Sequence, residues 1–192
     1  MRALLLIDFQ RGFEAPSWGA RNNPQAETNA AALLAHWRTH GAPVIHVCHL
    51  STTPGSPLAP GPGRDFLPQA APGDGEPVFE KSVNSAFIGT GLPGWLARQG
   101  IAALTVCGLT TPHCVSTTVR MAANLGFGVT LAHDACAAFA ANADTGWRET
   151  TGDDPPALPL PDPEAIHRAA IDQLHGEFCS VRATAQMIAA AP

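Results

Sequence analysis

The stretch Ile101-Ala102-Ala103-Leu104-Thr105-Val106-Cys107-Gly108-Leu109-Thr110-Thr111-Pro112-His113-Cys114 decides how this chain reads. Ile101 to Cys107 is a nearly continuous apolar run of strand length, the pattern of a strand buried on both faces of a parallel sheet. Gly108 ends it. Thr111 followed by Pro112 then looks like a helix start: a capping hydroxyl, and a proline whose missing N–H would be unpaired in the first turn anyway. The helix is predicted to run to about Asn124. A buried strand feeding a helix through a glycine turn is the building unit of an α/β domain.

The same unit recurs on either side. Ala3 to Ile7 is an apolar strand ending in Asp8. Asn23-Pro24 predicts a second cap-and-proline start. Ala30, Ala31, Leu33, Leu34 and Trp37 follow at helical spacing, and Gly41 is the stop. Pro43 to Cys48 is predicted as strand two, and Val78 to Glu80 as a short strand three with Lys81 at its end. A helix is predicted over Gly91–Gln99 and a strand over Gly128–Leu131, ending near Asp134. Asp162-Pro163 opens a helix to His175, and Phe178 to Val181 is a last strand before a short helix. Two long Pro-rich connections, Pro54–Pro77 and Asn142–Pro163, are expected to be functional loops that shape a pocket. The alternation predicts an α/β fold: one domain over residues 1–192, three-layer and doubly wound, with a Rossmann-like, six-stranded, mostly parallel sheet.

Composition narrows the function. The chain has 192 residues, 45% of them hydrophobic, and a net charge of −5. That excludes disorder, and it leaves no electrostatic footprint for nucleic acid or an anionic membrane. No apolar run is long enough for a signal segment or a bilayer span. Five cysteines, an odd number without framework spacing, fit reduced thiols and a cytoplasmic location. Of the 11 basic residues, Lys81 is the single lysine.

In open parallel sheets, ligands bind beyond the carboxyl ends of the strands, where the strand order reverses. Three reactive residues fall there: Asp8 after strand one, Lys81 after strand three and Cys114 after strand four. In the common order 3-2-1-4-5-6, Asp8 and Cys114 flank the switch point, and a lysine two strands away, about 10 Å, reaches toward them. Their chemistry is complementary. The helix start and Lys81 are expected to favour a Cys114 thiolate, and Asp8 to accept its proton and later activate water. Each residue also has a plain structural reading: packed thiol, loop-bonding carboxylate, solvated ammonium. The other cysteines, Cys48, Cys107, Cys136 and Cys179, are expected to be core residues.

The run Gly108-Leu109-Thr110-Thr111-Pro112-His113-Cys114-Val115-Ser116-Thr117-Thr118-Val119-Arg120 resembles the nucleophile motif of the isochorismatase-like cysteine hydrolases. Leu6-Ile7-Asp8-Phe9-Gln10, Glu80-Lys81-Ser82-Val83-Asn84-Ser85-Ala86-Phe87 and His175-Gly176-Glu177-Phe178 resemble further segments of that family, in order along nearly the whole chain. The resemblance implies an isochorismatase-type hydrolase fold and a catalytic triad of Asp8, Lys81 and Cys114. It implies a cis peptide at Leu109–Thr110, and an oxyanion hole formed by the backbone amides of Thr110 and Cys114. It also implies cleavage of a non-peptide C–N bond in a small amide, ureido or carbamoyl compound, in a homodimer or homotetramer, with no cofactor.

Two departures from named subfamilies bear on the chemistry. Where nicotinamidases of this family carry an Asp-x-His metal motif, this chain has His46-Val47-Cys48-His49, so no metal is expected. Vinyl-ether-cleaving isochorismatases typically lack the nucleophilic cysteine, which is present here. Both activities, and a catalytically silent binding subunit, stand as alternatives. Gln10, Phe13, Trp18, His49, Asn84, Phe87 and His113 are candidate substrate contacts, each with loop packing as its structural reading. Ser-His-Asp hydrolases and dinucleotide-binding domains are disfavoured by the absence of G-x-S-x-G and G-x-G-x-x-G.

Overall fold

A computed structural model describes residues 1–147 and 162–192 of the chain. Its six strands are β1 (Arg2–Ile7), β2 (Val44–His49), β3 (Val78–Lys81), β4 (Ala103–Leu109), β5 (Gly128–Ala137) and β6 (Ser180–Arg182). Five α-helices alternate with them: α1 (Ala26–Thr39), α2 (Leu92–Arg98), α3 (Ser116–Asn124), α4 (Pro163–Asp172) and α5 (Thr184–Ile188). The strand order is β3-β2-β1-β4-β5-β6 and every pairing is parallel. This is a doubly wound α/β fold. The order reverses between β1 and β4, where crossovers leave a crevice at the carboxyl end.

The middle of the sheet is the core. Leu4, Leu5, Leu6 and Ile7 of β1 are essentially inaccessible, each contributing roughly 1.5–3 kcal/mol by burial. Leu33, Leu34 and Trp37 of α1 and Val119 of α3 complete that packing. The edge strand β3 instead exposes Val78 and Glu80 and buries Lys81.

The elements depart from the sequence expectations in instructive places. Asn23 is not a cap. It sits at φ 42°, and its side-chain amide donates to the carbonyls of His133 (3.2 Å) and Cys136 (2.8 Å). Helix α1 therefore begins later, at Ala26. Thr111-Pro112 opens a wide, π-helical turn over Thr111–Val115 before α3 starts. Strand β5 continues past Asp134 to Ala137. Its register slips against β4 between Val106 and Gly108, so the polar His133-Asp134 pair is absorbed in an irregularity. Strand β6 starts at Ser180, and α4 ends at Asp172. Asp162 does cap α4, accepting from the Glu164 amide at 3.0 Å.

The Pro54–Pro77 connection carries two short 3-10 turns and is anchored by Glu76. The Glu76 carboxylate takes Arg38 Nε (2.7 Å), the Gly73 amide (2.8 Å) and buried His46 Nε2 (2.8 Å). Arg38 and the other donors hold that carboxyl down to about 2. Of the second predicted loop, residues 148–161 lie outside the described residues. No described helix is long and apolar enough to cross a membrane.

Candidate active site

The sheet order converts three distant sequence positions into one cluster. Ile7 pairs with Gly108, so the ends of β1 and β4 lie side by side. Gly108 sits at φ 147°, and a Cβ there would lie 2.2 Å from the carbonyl oxygen of Ile7. Only glycine permits that approach. The following Leu109–Thr110 peptide is cis, and the chain then enters the turn that carries Cys114. On the other side His49 pairs with Lys81, which places the lysine two strands from Asp8.

Lys81 is the hub. Its Nζ is 2.6 Å from Asp8 Oδ2, 3.0 Å from His49 Nδ1 and 3.2 Å from Cys114 Sγ. An ammonium has three donors and no acceptor, and all three are used here. His49 therefore accepts at Nδ1, which requires a neutral ring. Burial and the neighbouring ammonium push its pKa down to about 4. Burial works against the charge of Lys81, but Asp8 and Cys114 outweigh it and the net shift is upward. Asp8, at φ 55°, is fully buried, and its second oxygen, Oδ1, has no partner among the described residues. Burial raises its carboxyl above the usual range, with Lys81 opposing. A buried, raised carboxyl with a free oxygen beside a thiol is suited to proton transfer.

Cys114 departs from one expectation. Its thiol is not poised as a thiolate: burial and the charge of Asp8 push it up to about 12, more than Lys81 draws it down. The surroundings thus favour the thiol form of Cys114 beside Asp8 and the Lys81 ammonium. The thiol also lies 3.7 Å from Asn84 Oδ1.

The candidate contact residues separate into groups. His49 and Asn84 reach the centre directly. Gln10 is engaged by the scaffold. Its side chain is wholly buried, accepting from the His49 amide (2.7 Å) and donating to the carbonyls of His49 (3.0 Å) and Arg64 (3.1 Å). It clamps the end of β2 to the 54–77 connection. Phe87 packs on Phe127, ring centroids 5.7 Å apart. His113 is exposed beside Cys114, with no bond to the sulfur. Phe13 and Trp18 form an aromatic trio with Phe139, centroids 4.9–5.9 Å apart. Phe139 escaped the sequence reading because strand five was ended too early; the apolar run Ala135–Ala138 carried the signal. Thr111 and His167 also escaped it. They share a 2.8 Å hydrogen bond that ties α4 to the turn carrying Cys114.

Asp8, His49 and Cys114 place donor atoms within 4.8 Å of one another, a spacing that suits a metal ion. The Lys81 ammonium stands among those same atoms and supplies the positive charge there.

An isochorismatase domain model matches residues 2–186. The chain belongs to the isochorismatase family. An uncharacterized isochorismatase family protein of Bacillus subtilis (strain 168), YrdC, is 39% identical over 97% of this chain and 94% of its own length. A streptothricin hydrolase of Streptomyces noursei is 37% identical over 72% of this chain and 50% of its own. The maleamate amidohydrolase of Pseudomonas putida is 31% identical over 65% and 67%. Among solved structures, an isochorismatase-family protein from Chromobacterium violaceum is 43% identical, covers 98% of this chain and 92% of its own, and superposes with a TM-score of 0.87. This isochorismatase-family chain is a hydrolase, with relatives that act on C–N bonds.

Proposed function

We propose that this family member is a cysteine amidohydrolase acting on a non-peptide C–N bond of a small molecule. The observation that carries the reading is the simultaneous contact of one ammonium with Asp8 and Cys114 in a buried crevice. As Cys114 Sγ attacks the substrate carbonyl, its proton passes to Asp8 and the new S–C bond places negative charge on oxygen. The backbone amides of Thr110 and Cys114, at the entry to the nucleophile turn, are the proposed donors to that oxyanion. Collapse breaks the C–N bond, and protonated Asp8 returns its proton to the departing nitrogen. Water then attacks the thioester, giving its proton to Asp8. The acid leaves and Cys114 is reprotonated. Lys81 keeps its proton throughout and stabilises whichever partner is anionic.

The Phe13–Trp18–Phe139 trio is the proposed wall for an apolar or planar part of the substrate. Incubation with small primary amides and N-carbamoyl compounds, with ammonia detection, tests the reaction. Intact mass should show an acyl adduct that disappears in Cys114→Ala. Full turnover by Cys114→Ala overturns the mechanism, and absence of ammonia release from every compound favours a binding role.

A further inference from the structure

A second cavity, of about 300 Å³, lies away from the nucleophile, where α1 and α5 cover the sheet. Its floor is a row of hydroxyls at one register. Thr105 of β4 pairs with Thr130 of β5, which pairs with Ser180 of β6. Arg2 and Arg182 stand at its sides, Trp37 and Met187 form the helical wall, and the segment from Ala190 onward borders it. Arg2 begins β1, six residues before Asp8, or about 20 Å away along a strand.

The donor set is one-sided. Among the described residues no aspartate or glutamate lines this cavity, and neither arginine lies within ion-pair distance of a carboxylate. Arg2 is oriented by its Nη1 bonds to Leu104 O (3.3 Å) and Thr130 Oγ1 (3.0 Å), and its Nη2 and Nε make no bond among the described residues. One buried group in the wall also lacks a partner. Trp37 is 2% exposed and its indole N–H has no acceptor among the described residues. Buried donors left unpaired are costly, and native structures keep few of them. Two guanidinium groups, an indole N–H and a hydroxyl row, with no aspartate or glutamate side chain among the described lining residues, form a receptor for oxygen anions.

We propose that this cavity binds a small molecule through a carboxylate or phosphate group, held between Arg2 and Arg182 over Thr105 and Thr130. The apolar side chains of Trp37 and Met187 would cover the rest of the ligand.

Thermal unfolding and calorimetric titration with inorganic phosphate and with acetate, against chloride at matched ionic strength, test this. The wild type should be stabilised saturably by one or both anions beyond chloride; the tighter of the two identifies the head group. Arg182→Gln, at an exposed position, should fold and should weaken that binding about tenfold. Its hydrolase activity should be unchanged, which separates failure of this site from failure of the proposed reaction. No saturable effect of either anion overturns the proposal. So does an effect of equal size in Arg182→Gln, which would reduce it to non-specific ion binding.

Discussion

Thr111 and His167, 56 positions apart, share a 2.8 Å hydrogen bond inside the protein. It fastens α4 to the first residue of the turn that presents Cys114. The bond sits beside the reacting centre without touching it, so its expected role is positioning. Thr111→Val keeps the shape and removes the bond. We expect a stability loss of about 1 kcal/mol and a fall in kcat larger than any rise in KM, measured by steady-state kinetics and thermal unfolding. Equal kcat in Thr111→Val would leave the bond a purely structural tie.

Acid should weaken the fold through two histidines. Burial drives both His167 and His49 down to about 4. In the unfolded chain they take up protons near pH 6.5. The stability they contribute is therefore present above pH 6.5 and is lost progressively as pH falls toward 4. Melting temperatures across that window should decline, and His167→Phe should flatten the decline.

Asp8 and Cys114 should respond in opposite directions to one substitution. The carboxylate raises the thiol pKa, so Asp8→Asn is expected to speed alkylation of Cys114 near neutral pH. The same change removes the proposed proton acceptor and should lower turnover by a factor of roughly 10² or more. Slower alkylation in Asp8→Asn would contradict the coupling described here.

Lys81→Arg should fold and fail. The ammonium sends three separate donors to a carboxylate, an imidazole nitrogen and a sulfur. A planar guanidinium is larger and cannot reproduce that fan. We expect hydrolysis to drop by at least tenfold with secondary structure retained by circular dichroism. Near-normal turnover would make Lys81 a structural charge.

Gln10→Leu should cost more than its position off the reacting centre suggests. The three hydrogen bonds of its side chain, two with His49 of β2 and one with Arg64 of the 54–77 connection, would be lost, leaving buried backbone groups unpaired. The expected destabilisation is about 2–3 kcal/mol, read from denaturant unfolding, with a rise in KM.

Sequence order carried the fold because the strands are buried on both faces and read as plain apolar runs, as in Ala3–Ile7 and Ile101–Cys107. Two residues of the candidate site, Asp8 and Cys114, come after such runs, whereas Lys81 ends the short, half-exposed edge strand β3 and was legible as a reactive side chain at a strand end. What sequence order could not carry were partnerships made across the chain. The amide of Asn23 looks like a cap until His133 and Cys136 are placed beside it. Glu76 is one acid in a Pro-rich stretch until His46 and Arg38 converge on it. The thiol pKa of Cys114 depends on burial, which local sequence does not encode, and so the expected thiolate became a thiol.

The chain's single lysine is sealed within the centre, 2% exposed. Amine-selective reagents thus meet no lysine side chain on the folded surface. Any acylation of Lys81 has to wait for the crevice to open, so the rate of that labelling counts openings. The protein carries its own clock for the breathing of its candidate site, readable by mass alone and silenced when a ligand holds the crevice shut.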